Sequence, residues 1–139
     1  MKNIVITLLA ALIPMLASGQ EWIEIGKDDS ETWYVYGSIQ DEFGNHLVWV
    51  KTTYDTPEAR KQAMNNLGTR YHIFENKTLW CFNSEWSKVY IKSGTAYSKS
   101  GKVLSSYNAD YEDWQYIIPE TRGETVRDLA KYIYENPMP

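Results

Sequence analysis

The sequence predicts an α+β domain: an antiparallel β-sheet with a short mid-chain helix and a C-terminal helix packed on the sheet. Three observations carry this prediction. Runs of aromatic and β-branched residues recur along the chain, as strands prefer, and the loops between them are short and polar. Short connections join antiparallel neighbours, whereas parallel strands need long crossovers. Two segments instead repeat their apolar residues at helical spacing and carry capping residues. Helices segregated on such a sheet make the α+β class.

The first strand spans 21–25, where polar residues alternate with Ile23 and Ile25 before Gly26. A polar, acidic loop over 27–32 leads to the aromatic strand Trp33-Tyr34-Val35-Tyr36, closed by Gly37. Gly44-Asn45 is a turn signal, and 46–54 is the clearest strand. One of its faces carries Val48, Val50, Thr52 and Tyr54, the other Leu47, Trp49, Lys51 and Thr53. The period then changes. Thr56 is an N-cap candidate, Pro57 suits the first helical position and Gly68 supplies a stop. The apolar stripe of this helix, Ala59, Ala63, Met64 and Leu67, is narrow, which places it at the domain's edge.

Two strand pieces, 71–74 and 78–82, flank Glu75-Asn76-Lys77, and 88–92 alternates Val89 and Ile91 against Tyr90. The runs 95–97 and 103–107 flank a polar loop with Gly101, a hairpin signal. A last extended piece over 114–118 stops at Pro119. Thr121 and Glu124 then have the spacing of a capping box, and Val126, Leu129, Ala130 and Ile133 make one helical stripe over 121–134. The 139 residues leave room for one domain, and neither a repeat nor a long linker divides them.

The N-terminus reads as an address. Lys2 precedes an apolar run from Ile4 to Leu16, and the small residues Ala17, Ser18 and Gly19 follow. This is the order of a secretory signal peptide over 1–19, leaving a domain over 20–139. The run falls short of the roughly 20 apolar residues that span a bilayer. No cysteine follows it, which argues against a lipoprotein anchor. Without Lys2 the 14 Lys and Arg become 13 against 18 Asp and Glu, a net charge of −5. An acidic chain lacks the basic footprint of nucleic-acid binding and the polybasic hold on anionic lipid. With 6 Trp, 11 Tyr and 3 Phe the chain is too aromatic for disorder.

Chemistry-bearing clusters are sparse. Cys81 is the only cysteine, so no intrachain disulfide exists, and its neighbours Trp80 and Phe82 suggest a buried thiol in a core strand. Only His46 and His72 are present, without metal-ligand spacing. His46, opening a strand, reads as a solvated turn residue. Pairing Cys81 with His72 as a nucleophile has no local signature behind it. Asn108, Asp110, Glu112 and Asp113 lack the glycine and distal glutamate of a calcium loop. Asp28, Asp29 and Glu31 likewise read as a solvated acidic loop. Asn76-Lys77-Thr78 is a glycosylation sequon in a eukaryotic secretory pathway. Most of the tryptophans belong in the core. Trp86 and Tyr90 are the best surface candidates for touching a partner, because Ser84, Glu85, Ser87 and Lys88 surround them.

The chain resembles the surface-adhesin protein E family of exported bacterial domains over roughly 22–134. The residues that carry the resemblance are Trp33-Tyr34-Val35-Tyr36 with Ser38-Ile39, then Leu47-Val48-Trp49-Val50-Lys51. They continue with Tyr97, Ser100-Gly101-Lys102-Val103-Leu104-Ser105-Ser106, Trp114-Gln115-Tyr116-Ile117-Ile118-Pro119 and Gly123-Glu124. The resemblance implies an antiparallel sheet packed with a C-terminal helix and an exported location. Named members are adhesins for host matrix or serum proteins. The family typically has one cysteine in the mid-chain strands and another at the end of the last helix. Here Cys81 or Ser84 falls near the first place and Lys131 or Tyr132 near the second, so that staple is absent.

These readings converge on a non-enzymatic, exported, adhesin-like domain that binds a protein at the host or envelope surface. Its expected location is the periplasm, the outer-membrane surface or the medium. No catalytic residue, metal ligand or cofactor is expected, and the mature chain should carry no transmembrane segment. Three alternatives belong to other classes. A periplasmic inhibitor of a lysozyme-like hydrolase would exploit the −5 charge to steer a basic enzyme. A small thiol hydrolase would use Cys81 or a histidine. A structural subunit would pair an edge strand with another chain.

Overall fold

The computed structural model describes residues 22–137. Three strands come first, β1 (Ile23–Lys27), β2 (Glu31–Gln40) and β3 (His46–Tyr54). Helix α1 (Pro57–Leu67) precedes β4 (Glu75–Phe82), β5 (Lys88–Tyr97) and β6 (Val103–Asn108). The short β7 (Gln115–Tyr116) and helix α2 (Arg122–Glu135) follow. All strands join one antiparallel sheet in sequence order from β1 to β6, with β7 added to β5. The expected α+β architecture, with both helices, is the one adopted. The signal peptide expected over 1–19 lies outside the described residues.

Local chemistry sets both helices. The Thr56 hydroxyl accepts from the Ala59 N–H at 3.2 Å, and Pro57 opens the helix. Gly68 ends it at φ 68°, its N–H donating to the Met64 carbonyl, a conformation that costs a side-chain-bearing residue about 1–2 kcal/mol. Thr121 caps α2 by accepting from the Glu124 N–H at 3.4 Å. The Glu124 carboxylate reaches back at 3.0 Å to the N–H of Glu120, one residue before the cap. The expected capping box therefore closes one residue early.

Strand register decides what is inside. Ile23, Val35, Val50 and Thr78 form one row across β1 to β4, and Val48, Trp80 and Ile91 form the next. Residues opposite one another share a face, and this face carries both helices. Val126, Leu129 and Ala130 of α2 enter one core with Ile23, Ile25, Val35, Val48 and Phe82. Ala63 of α1 joins a smaller cluster with Ile73 and Ala96. Burying a side chain such as Leu129 contributes roughly 1.5–3 kcal/mol.

Four readings need correction. First, Glu75-Asn76-Lys77 does not separate two strands. Each of these residues pairs on both sides, with Thr53, Thr52 and Lys51 of β3 and with Tyr97, Ala96 and Thr95 of β5, so polar side chains ride inside a continuous β4. Second, Gly37 does not close β2. It sits at φ 69° where the β2–β3 register shifts between Tyr36 and Ile39, a bulge that lets the strand run on to Gln40.

Third, His46 is not solvated. It is 2% exposed, its ring stacked 3.9 Å from Trp86 and edge-on to Tyr134 of α2 at 4.5 Å. Fourth, Trp86 and Tyr90 are not on the surface, being only 5% and 8% exposed. The polar run around Trp86 belongs to a turn organised by Asn83. Its side-chain carbonyl accepts from the N–H groups of Ser87 (2.8 Å) and Lys88 (3.0 Å), and its amide donates to the Ser87 hydroxyl at 2.9 Å. This holds the polar side chains outward. Trp86, at φ 62°, turns its ring inward against Phe82, 5.5 Å away.

Candidate functional site

Alternation along the strands leaves the other sheet face with its own rows. Glu24, Tyr34, Lys51, Lys77 and Thr95 form one, and Tyr36, Trp49, Leu79 and Ser93 form the next. Both helices pack on the opposite side, so among the described residues this face has no helical cover. Trp22, just before β1, extends it, with its ring 5.2 Å from that of Tyr36.

At the centre stands Lys51. Its ammonium lies 4.7 Å from the Trp22 ring centre and 4.5 Å from that of Tyr34, a cation–π arrangement with both rings. Burial lowers its pKa, neighbouring Lys77 pushes the same way and Glu75 opposes. Lys77 is ion-paired to Glu75 at 3.4 Å. Trp49 remains 40% exposed beside this group. The platform thus combines apolar ring area with polar margins, the composition of protein contact surfaces.

The same face ends in a closed corner. Leu47, Cys81 and Tyr90 form a row, and Trp114 packs edge-on against Tyr90 at 4.7 Å. Burial pushes the Cys81 thiol up, and it raises the Tyr90 hydroxyl to about 12. A thiol kept protonated is a poor nucleophile. Cys81 is therefore expected to resist thiol-labelling reagents until denaturant is added, and reducing agent to leave the melting temperature unchanged. Labelling of the folded protein at the rate of a free thiol would contradict this burial. Cys81 also sits one residue from Phe82, which faces α2, so its side chain points away from that helix.

The structure separates the two residues expected to contact a partner. Trp86 lies in the α2-side core, whereas Tyr90 lies in the corner on the opposite face. His46 joins Trp86 instead, together with Phe82 and Tyr134. Cys81 and His72 do not meet, because Cys81 lies near the far end of β4 and His72 precedes its start, which at about 3.3 Å per residue is a long separation. Among the described residues no three His, Cys, Asp or Glu side chains gather as metal ligands.

Sequence reasoning misses Trp22, Tyr34, Trp49 and Lys51 as contact residues. The signal for them lay in the alternation of β3, whose Leu47, Trp49 and Lys51 face is the one left outside. A family model described as surface-adhesin protein E matches residues 22–130. No curated protein and no solved structure matches the chain.

Proposed function

The chain belongs to the surface-adhesin protein E family, and from that premise we propose that it is a non-enzymatic, exported binding domain that holds a protein partner through its uncovered sheet face. The observation that carries this reading is the platform of Trp22, Tyr34, Tyr36 and Trp49 around Lys51. Tryptophan and tyrosine dominate the energetics of protein interfaces because they bury large rings at low entropic cost. Aromatic rings on a face that has no helical cover among the described residues support an interaction surface there. Membership of the family supports an exported, surface-associated role for the domain.

Trp49→Glu is the direct test, since the exposed ring can be replaced without disturbing the helix-side core. Purified host matrix and serum proteins and envelope proteins would be passed over the immobilised domain. The wild type should bind at least one, and the variant should lose roughly tenfold or more of that affinity, as for a central interface tryptophan. Wild-type binding to none of them, or equal binding by Trp49→Glu, would reject the proposal.

A further inference from the structure

We propose that a cleft beside β5, on the helix-bearing side of the sheet, is a docking site for an arginine side chain presented by a protein partner. This goes beyond the platform described above, which lies on the other face. The cleft has a volume of about 450 Å³, within the range of ligand pockets. Trp80, Val89 and Ile91 line it from the sheet, Tyr107 from the end of β6, and Asp110, Tyr111 and Asp113 from the segment that follows.

Its walls are held in place before any ligand arrives. The Trp80 indole N–H donates to the Thr78 hydroxyl at 2.8 Å, and its ring packs 6.2 Å from Phe82. Tyr107 packs close to Gly94: a Cβ at that position would stand 3.0 Å from the tyrosine ring and 3.2 Å from the Thr78 methyl. Glycine thus makes room for the ring.

The charge of the cleft is one-sided. Asp113 accepts from the Gln115 side chain at 3.0 Å, while Asp110 makes no hydrogen bond or ion pair among the described residues. No lysine or arginine is among the lining residues. Ring faces and carboxylates both attract a cation. Guanidinium suits both, because it is planar, stacks on rings and chelates a carboxylate through paired N–H donors. A neutral ligand would strip water from the carboxylates without replacing it, and an anion would be repelled. A protein source is favoured over a free amine by the adjoining edge. Among the described residues β6 is hydrogen-bonded to β5 alone, so a partner's backbone can lie alongside it.

The test titrates isotope-labelled full-length domain with the peptide acetyl-Gly-Gly-Arg-Gly-Gly-amide, its citrulline counterpart, and spermidine, followed by NMR. Saturable shifts are expected at the Trp80 indole N–H and the Gly123 amide with the arginine peptide, while the Trp49 indole stays still. The double variant Asp110→Asn, Asp113→Asn should weaken binding about tenfold or more, with its melting temperature kept near the wild-type value because both side chains are exposed. Gly94→Ala, which displaces Tyr107, should weaken it as well. Equal binding of the citrulline peptide, or an unaltered affinity in the double variant, overturns the site. Spermidine binding as tightly as the peptide overturns the assignment to a protein side chain. Because the readout is confined to this cleft, failure here leaves the Trp49 platform standing, and the reverse.

Discussion

Lowering the pH from about 7 to about 5 is expected to destabilise the domain, and His46→Phe is expected to remove most of that loss. The His46 ring is enclosed by Trp86 and by Tyr134 of α2, and among the described residues its Nδ1 has no hydrogen-bond partner. Burial lowers its pKa below the ordinary 6.5, while the Ser84 backbone and the charge of Asp41 work in the opposite direction without overcoming it. Gln40, paired with His46 across β2 and β3, is neutral and accepts from the Tyr134 hydroxyl at 3.3 Å.

The sign follows from proton binding. Above the ordinary imidazole value neither state holds the proton, and the stability is fully present. As the pH falls below it, the unfolded chain takes up the proton and the folded chain does not. Stability then falls with a slope approaching about 1.4 kcal/mol per pH unit, until the folded-state pKa is reached. Urea unfolding followed by tryptophan fluorescence across this range measures it. A flat wild-type profile, or a His46→Phe profile parallel to the wild type, would refute the assignment.

The second large effect is at Trp86. Trp86→Ala is expected to cost about 3–5 kcal/mol, the usual range for emptying a buried aromatic site, against a typical total of roughly 5–15 kcal/mol. The ring meets His46, Phe82 and Tyr134, and the Arg127 guanidinium donates to the Trp86 carbonyl at 3.0 Å. Three elements, β3, β4 and α2, therefore lose ring contacts together, while the bond to the carbonyl remains. Trp86→Gly should be milder than Trp86→Ala by about 1 kcal/mol, because glycine adopts φ 62° without a Cβ penalty. Denaturant midpoints decide the matter. A loss below about 1 kcal/mol in Trp86→Ala would return this residue to the surface role that its sequence neighbours suggest.

That contrast explains what was legible in the chain. Helix caps depend on a few adjacent residues, so Thr56, Gly68 and Thr121 announced themselves, and the stripe of Val126, Leu129 and Ala130 named its own buried face. The alternation of β3 was equally plain, but only packing decides which of two mixed faces meets a helix. Trp86 was misread because its polar neighbours are turned outward by Asn83 through a turn that no apolar periodicity encodes. His46 was misread for a related reason: Trp86 and Tyr134 cover it from positions 40 and 88 residues further along the chain. The candidate platform was readable as two faces, and the cleft was not, because it joins Trp80, Tyr107 and Gly123 from distant segments.

The sequence-ordered sheet also dictates how the molecule must assemble. Each strand from β2 to β6 pairs with the one that precedes it, so successive pairings close local connections, the longest of them carrying α1, and can zip along the chain. Helix α2 is different: its residues 126–130 meet β1 and β2 residues near positions 23–35, a closure over nearly the whole domain. Non-local closures of this kind slow folding because their entropy is lost before the contacts form. The strands can therefore register early while the core waits for the last helix, and until α2 docks the part of the sheet face around Ile23, Val35 and Val48 stays open to solvent.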